Sequence, residues 1–154
     1  MNPYLEIKKL LTDNNIIYEE IEHEPVFTSE QAAKVRGLSP DEGAKSLLLK
    51  SSSDFILAIL PGNKKLDSKK LKNLIKTKNI RFASPEEVEA VMHCKIGSCY
   101  PFGNIIKVIT IADSSMAALG NMSFNPGVHD KSIKIKWSDY NSLVNPYLSD
   151  ISAD

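Results

Sequence analysis

The sequence predicts one domain of the α+β class, with a strongly curved, barrel-like mixed sheet surrounded by short helices. Apolar runs with the length and composition of strands outnumber the segments with helical periodicity. Most of these runs are separated by short turn sequences, which is typical of hairpins, and the helical segments are inserted between them. A chain of 154 residues, 42% of them hydrophobic, is long enough to bury one core.

Capping residues predict the first helix. Asn2 and Pro3 suit its N-cap and its first position, and the polar run 13–15 ends it. Residues 16–21 follow as a strand.

The next segments predict a helix and a hairpin. Thr28 and Gln31 form a capping-box pattern for a helix that ends at Gly37. The apolar runs 44–50 and 55–60, joined by the sequence SSSD, predict two buried strands.

A lysine-rich helix comes next. Asp67 is suited to cap it, Leu71, Leu74 and Ile75 form its inner face, and its outer face carries the lysines. Residues 80–83 are then a short strand.

The C-terminal half begins with a strong helix signal. Ser84, Pro85 and Glu87 combine an N-cap, a proline at the first position and a capping-box acid. A final short helix is expected to begin at Ser138 or Asp139. Three strands are predicted between these helices, at 105–112, 122–125 and 132–136.

The hydrophobic pattern predicts a cytoplasmic protein that has no membrane partner. The longest apolar runs, 55–60 and 105–111, fall far short of the ~20 residues that a membrane helix needs. The N-terminus is charged and amphipathic and has no long apolar core, so we expect no signal peptide.

Charge is concentrated in one segment. The net charge is zero, but residues 64–81 contain eight basic residues and one acidic residue. Such a segment favours local contact with a polyanion, and a solvated lysine-rich helix face is the alternative.

Cysteine and histidine spacing gives no support to a disulfide framework or a metal site. Cys94 and Cys99 lie too close together to cross-link distant parts, and with His93 they match no established zinc pattern. Cys99 has no base beside it in the sequence that would make it a nucleophile. There is no G-x-S-x-G motif, and spacing alone reveals no serine and acid partners for the three histidines, His23, His93 and His129.

One lysine occupies an unexpected position. Alternate residues of a strand share a face, so Lys45 lies on a face with Leu47 and Leu49. It either extends its ammonium past the edge of the sheet or points it into a cavity. In a cavity it would attract a carboxylate, a phosphate or a polarised carbonyl.

The stretch KIGSCYPFGN, residues 95–104, is either a plain connection or a backbone cradle for a ligand. Gly97 permits a positive φ or a close backbone approach, and Pro101 restricts the other end. We favour the cradle.

Several segments occur in an order that is typical of one family: EHEPVFTSEQAA, GAKSLLLK, KKLDSKKLK, RFASPEEVEAVMHCKIGSCYPFG and SFNPGVHDKSIKI. Over roughly residues 15–145 the chain resembles the YbaK/ProX family of aminoacyl-tRNA deacylases, which is related to the editing insertion domain of bacterial prolyl-tRNA synthetases. The two strongest markers are the lysine before an aliphatic run, Lys45, and the G-x-x-x-P loop, Gly97 to Pro101.

The resemblance implies trans-editing, which is hydrolysis of the ester that links a wrong, small amino acid to the terminal adenosine of tRNA. It implies a tRNA partner, contacted at its aminoacylated 3′ end and acceptor stem, and no metal or organic cofactor. It leaves an aminoacyl-tRNA synthetase open as a second partner. A non-catalytic module of the same fold, binding tRNA or an aminoacyl adduct, is the alternative.

The resemblance also implies roles by position. The candidate catalytic residues are Lys45, Gly97 and Ser98. The candidate substrate-binding residues are His23, Cys99, Tyr100, Pro101, Gly127 and Ser132. Ser132 stands where some relatives carry an acidic residue. The basic segment supplies the candidate tRNA-binding residues, which are Lys64, Lys65, Lys69 and Lys72.

An aminoacyl ester needs little chemical help, because a protonated amine already activates its carbonyl. We expect N–H groups of residues 97–103 to bind the carbonyl oxygen, where one placed donor contributes ~10²–10³ in rate. The vicinal hydroxyl of the tRNA, or a water that it holds, is expected to act as the base. Lys45 would anchor the phosphate or ribose of the terminal nucleotide.

Overall fold

The structure, a computed structural model, describes residues 1–25 and 43–153. Within these ranges the helices are α1 (Pro3–Asp13), α2 (Ser68–Ile75), α3 (Pro85–Met92) and α4 (Trp137–Val144). The strands are β1 (Glu19–Glu22), β2 (Ala44–Lys50), β3 (Phe55–Pro61), β4 (Arg81–Phe82), β5 (Ile109–Asp113), β6 (Asn121–Phe124), β7 (Lys131–Lys136) and β8 (Tyr147–Ser149). The α+β class is confirmed. No helix within the described ranges has the length and apolarity to cross a membrane.

The described strands do not form the expected barrel-like sheet. The described strands form a five-stranded mixed sheet, in the order β4-β2-β3-β5-β8, and a three-stranded antiparallel sheet, β1-β7-β6. β5 runs parallel to both β3 and β8, so the larger sheet grows through crossovers and ends in two edges, β4 and β8. A single parallel bridge, between Gly43 and Ser123, links the two sheets in the described part of the chain.

The core lies on both faces of the larger sheet. Leu48 packs into the main cluster, together with residues of α1, α3 and the smaller sheet. Leu49 points the other way, into a smaller cluster that includes Leu71 of α2. This alternation follows from the two-residue period of a strand.

The capping signals predict three helices correctly. Asn2 Oδ1 accepts a 3.2 Å hydrogen bond from the N–H of Leu5. Asp67 caps α2, and the Ser84–Glu87 capping box opens α3. The helix expected from Thr28 lies outside the described residues.

Several boundaries differ from the predictions. The first strand begins at Glu19, because Ile16 instead donates its N–H to the carbonyl of Leu11 at 2.9 Å. The strand predicted from residue 105 begins at Ile109, because Lys107 has a left-handed backbone with φ of +57°.

Helical boundaries and faces differ as well. α4 begins at Trp137 without a side-chain cap, whereas Ser138 or Asp139 was expected to start it. Leu74 is 41% exposed, so the inner face of α2 is formed by Leu71 and Ile75. β8 follows α4 and has no counterpart among the predicted strands.

Candidate active site

The glycine-rich stretch forms a tight turn at residues 95–98. The N–H of Ser98 donates to the carbonyl oxygen of Lys95 at 3.0 Å, and the Ser98 hydroxyl donates to the same oxygen at 2.7 Å. Gly97 has φ of +91°, which suits the third residue of a type II turn. Only glycine adopts this conformation at little cost.

Two side chains from the loop between β6 and β7 hold this turn. Asn125 Nδ2 donates to the carbonyl oxygen of Gly97 at 3.2 Å. His129 Nε2 lies 3.2 Å from the carbonyl oxygen of Ile96, which can only accept, so the ring nitrogen is the donor. Neither Asn125 nor His129 was assigned a role from the sequence.

The amides of the turn differ in what they face. Within the described ranges, the N–H groups of Gly97, Cys99 and Tyr100 donate to no backbone or side-chain oxygen. Those of Gly97 and Cys99 face the sulfur of Cys99. The N–H of Ser98 closes the turn on Lys95. Neighbouring amides around a bend can bind a developing negative charge, which is what ester hydrolysis requires.

Cys99 is placed as a packing residue. Its thiol is buried and lies within hydrogen-bond reach of Cys94, which is also buried. This contact, together with burial, raises the pKa of the Cys99 thiol. Because the thiolate is the reactive form, Cys99 is a poor nucleophile here.

Tyr100 and Pro101 anchor the loop in the core. The buried Tyr100 hydroxyl donates to the carbonyl oxygen of Met92, at the end of α3, at 2.8 Å. The Pro101 carbonyl accepts a 2.6 Å hydrogen bond from the buried hydroxyl of Tyr140. These bonds fix the C-terminal half of the loop, so its shape is set before any substrate arrives.

Gly127 lies against the other side of Tyr100. Its φ is +88°, and a β-carbon there would stand 3.0 Å from Cβ of Pro3 and 3.6 Å from a ring carbon of Tyr100. The chain therefore needs glycine at this position for conformation and for space.

His23 and Ser132 are brought together although they are far apart in sequence. His23 Nε2 lies 2.8 Å from Ser132 Oγ, and His23 Nδ1 lies 2.7 Å from the carbonyl oxygen of Glu24. In a neutral ring Nδ1 then donates to Glu24, and Nε2 accepts from the Ser132 hydroxyl. Ser132 is 1% exposed, so this pair orders the β1–β7 contact and is poorly accessible to a substrate.

Lys45 stands near the start of β2, opposite Leu60. It is half-buried, and its pKa is lowered, first by burial and then by the charge of Lys65. No carboxylate within the described ranges contributes to this shift. An anionic ligand would therefore relieve an unfavourable charge.

Ser46, the next residue, points to the opposite face of β2. Its hydroxyl oxygen is buried and has no hydrogen-bond partner among the described residues. A buried polar atom without a partner is uncommon and calls for a functional explanation. It lies within the segment GAKSLLLK, but no role was expected for it from the sequence.

One bridge relates the strand of Lys45 to the loop that holds the turn. The Gly43–Ser123 bridge is parallel, and Lys45 and Asn125 each lie two residues beyond it. Asn125 in turn binds the carbonyl of Gly97. That Lys45 and the turn share one hollow stays a prediction.

One residue of the basic segment, Lys65, lies close enough to Lys45 for its charge to lower the pKa of Lys45. Lys69 and Lys72 are three positions apart on α2 and so lie on the same side of the helix, while Lys64 and Lys65 lie between β3 and α2. Lys70 instead contacts the C-terminal segment of the chain. Its ammonium binds the carboxylate of Asp150 at 3.0 Å and the carbonyl of Ser152 at 2.8 Å.

No group of three or more histidine, cysteine, aspartate or glutamate residues within 1–25 and 43–153 is arranged to hold a metal ion.

A family model and two known proteins are similar to this chain, and all three relate to aminoacyl-tRNA. A family model described as the aminoacyl-tRNA editing domain matches residues 23–143. The multifunctional Ser/Thr-tRNA deacylase ProXp-y of Escherichia coli K12 is 30% identical over 144 residues, which cover 90% of this chain and 86% of that protein. The proline–tRNA ligase of Geobacillus thermodenitrificans is 30% identical over 119 residues, which cover 77% of this chain and 19% of the ligase.

A solved structure extends the similarity to the fold. The crystal structure of a proposed trans-editing enzyme for prolyl tRNA synthetase matches with a TM-score of 0.88 at 18% identity. The match covers 100% of this chain and 99% of the other.

Proposed function

This chain belongs to the aminoacyl-tRNA editing domain family, and we propose that it is a trans-editing deacylase, which hydrolyses the ester of a mischarged small amino acid on tRNA. The observation that carries the proposal is the 30% identity to a Ser/Thr-tRNA deacylase over 90% of the chain. That relative makes seryl and threonyl esters the first candidate substrates.

The small difference in binding free energy between similar amino acids explains why a second site that hydrolyses such esters is useful. One missing methylene changes binding in an apolar pocket by about 1–3 kcal/mol, which is too little for accurate charging of tRNA. A separate hydrolytic site rejects what the first site admits.

We assign binding of the ester carbonyl to the turn. Gly97 is exposed, and its N–H donates to no oxygen within the described ranges and faces only the sulfur of Cys99, a weak acceptor that a substrate oxygen could replace, which supports its use as an oxyanion donor. Loss of one such donor typically costs ~10²–10³ in rate. This assignment differs from the sequence-based expectation for Ser98, since its N–H already binds Lys95.

We assign anchoring of the terminal nucleotide to Lys45. Its desolvated charge, beside Lys65, favours a phosphate or an electron-rich ribose oxygen. The tRNA's own vicinal hydroxyl then acts as the base or holds the water. It accepts a proton from the attacking water and passes its own proton to the ester oxygen. The water oxygen bonds to the carbonyl carbon, the bond from that carbon to the ester oxygen breaks, and the products are the free amino acid and the ribose hydroxyl.

The candidate tRNA-binding lysines would meet the acceptor stem. They are Lys64, Lys65, Lys69 and Lys72. Their clustering on and before α2 supports contact with a phosphate backbone, which is the general source of nucleic-acid affinity.

A panel of charged tRNAs tests the proposal. Alanyl, cysteinyl, seryl and threonyl esters on several tRNAs are incubated with the protein, and loss of the ester is followed against buffer alone. We expect selective hydrolysis of one or a few esters. Saturable tRNA binding without ester loss would contradict the enzyme and favour a binding module.

A further inference from the structure

We propose that Asn125 and His129 are positioning residues, whose hydrogen bonds hold the turn at 95–98 in the conformation that binds the substrate ester. This inference rests on the proposed deacylase function and adds two residues to its site. Both residues lie in the loop between β6 and β7, and each engages a carbonyl of the turn.

The hydrogen bonds of His129 and Asn125 go to two consecutive backbone carbonyls. His129 Nε2 lies 3.2 Å from the oxygen of Ile96, and Asn125 Nδ2 lies 3.2 Å from the oxygen of Gly97. The carbonyl of Lys95, just before them, is held by Ser98 within the turn itself. Three successive carbonyls of the turn are therefore fixed.

Fixing a carbonyl also fixes an amide. In a trans peptide unit the C=O and the following N–H point in opposite directions, and the described residues contain no cis peptide bond. By holding the Ile96 carbonyl, His129 directs the N–H of Gly97 away from itself. By holding the Gly97 carbonyl, Asn125 keeps the N–H of Ser98 aimed at Lys95, which closes the turn.

The exposure of Ile96 and Gly97 indicates that the hydrogen bonds from His129 and Asn125 matter more for catalysis than for folding. Ile96 is 53% exposed and Gly97 is exposed, so the clamped atoms lie at the surface and outside the core. We call the hydrogen bonds of Asn125 and His129 to the turn the clamp. Loss of the clamp should therefore affect the rate of hydrolysis much more than the stability of the protein. A small misplacement of catalytic donors can cost about 10²-fold in rate.

Two sets of variants test the clamp on an ester that the wild type hydrolyses. Asn125→Asp keeps the shape but places a carboxylate against the Gly97 carbonyl, and His129→Leu removes the donor. His129→Gln restores an N–H donor and should rescue. The matched control is Asn121→Asp, an exposed position at the other end of β6.

We expect kcat to fall roughly 10- to 100-fold in Asn125→Asp and His129→Leu, with KM for the charged tRNA within about twofold. His129→Gln should recover most of the loss, and the control should match the wild type. Amide hydrogen exchange at Ser98, measured without tRNA, should accelerate in both damaging variants, because its bond to Lys95 closes the turn.

The outcomes distinguish this inference from the proposed function. A wild type that hydrolyses no ester contradicts the deacylase proposal. Wild-type hydrolysis together with undiminished kcat, or unchanged Ser98 exchange, in the damaging variants contradicts the clamp and leaves the deacylase proposal intact. If Asn125→Asp does not fold, the His129→Leu and His129→Gln pair decides.

Discussion

The imidazole of His129 lies directly against the α-carbon of Gly97, so that a β-carbon at position 97 would stand 3.1 Å from His129 Nε2. Gly97 also has φ of +91°. A side chain at this position would therefore be strained by the backbone conformation, and the His129 ring would have to shift by a few tenths of an ångström to make room.

We expect Gly97→Ala to lower the free energy of unfolding by about 1–3 kcal/mol, because alanine in this conformation is strained. Urea unfolding measures the loss, and deacylation should fall with it. Gly120→Ala is the matched control, since a β-carbon at Gly120 meets nothing within 4 Å. Equal stability of the two variants would contradict the account of the turn.

Lys45→Met should fold and lose deacylation by about 10²-fold or more, because the terminal nucleotide loses its anchor. Its thermal midpoint should equal or exceed that of the wild type. The reason is that burial lowers the pKa of Lys45, so its charge is disfavoured in the folded state at neutral pH. Lys50→Met, at the other end of β2, is the control and should remain active. Undiminished turnover in Lys45→Met would remove Lys45 from the site.

Replacing Lys69 and Lys72 together by glutamate should weaken tRNA binding and flatten its salt dependence. The slope of log affinity against log salt should decrease by about 1 for each phosphate that the protein no longer binds. Titrations at several salt concentrations give the slope. A double variant with the same charge change elsewhere, Lys9→Glu with Lys136→Glu, controls for net charge. An identical slope in both double variants would count against the surface on α2.

Ser46→Ala should raise the free energy of unfolding by about 1 kcal/mol, because the buried hydroxyl has no partner in the described part of the chain. If the substrate uses this hydroxyl, deacylation falls while stability rises. Ser53→Ala, an exposed position in the β2–β3 turn, should change neither quantity appreciably. A destabilised Ser46→Ala would show that the hydroxyl is needed by the fold.

Acid should weaken the helix that leads into the turn. The Arg81 guanidinium, followed by the backbone N–H of Ser84, lowers the pKa of Glu87 to about 2 from an ordinary value of 4.5. A depressed carboxyl pKa adds stability above pH 4.5, and that stability is lost as the pH falls toward 2. Thermal midpoints of wild type and Glu87→Gln should therefore differ at pH 7 and converge near pH 2. Glu86→Gln, on the exposed side, is the control, and parallel curves for wild type and Glu87→Gln would contradict the linkage.

Residue patterns alone were enough to predict most of the local elements in the described chain, and the family. Caps at Asn2, Asp67 and Ser84 and the 44–60 hairpin were predicted and are confirmed, because their hydrogen bonds join residues that are close together in the chain. The motifs around Lys45 and Gly97 predicted the YbaK/ProX resemblance, and the family match confirms it.

Contacts between distant segments could not be predicted in this way. The strand β5 pairs in parallel with β3 on one side and with β8 on the other. The described strands form two open sheets, whereas a barrel was expected. Folding also brings Asn125 and His129 to the turn from 28 and 33 residues away, and His23 to Ser132 from 109. Periodicity and capping act over a few residues, whereas these contacts depend on how strands pair and cross in space, and no local pattern records that.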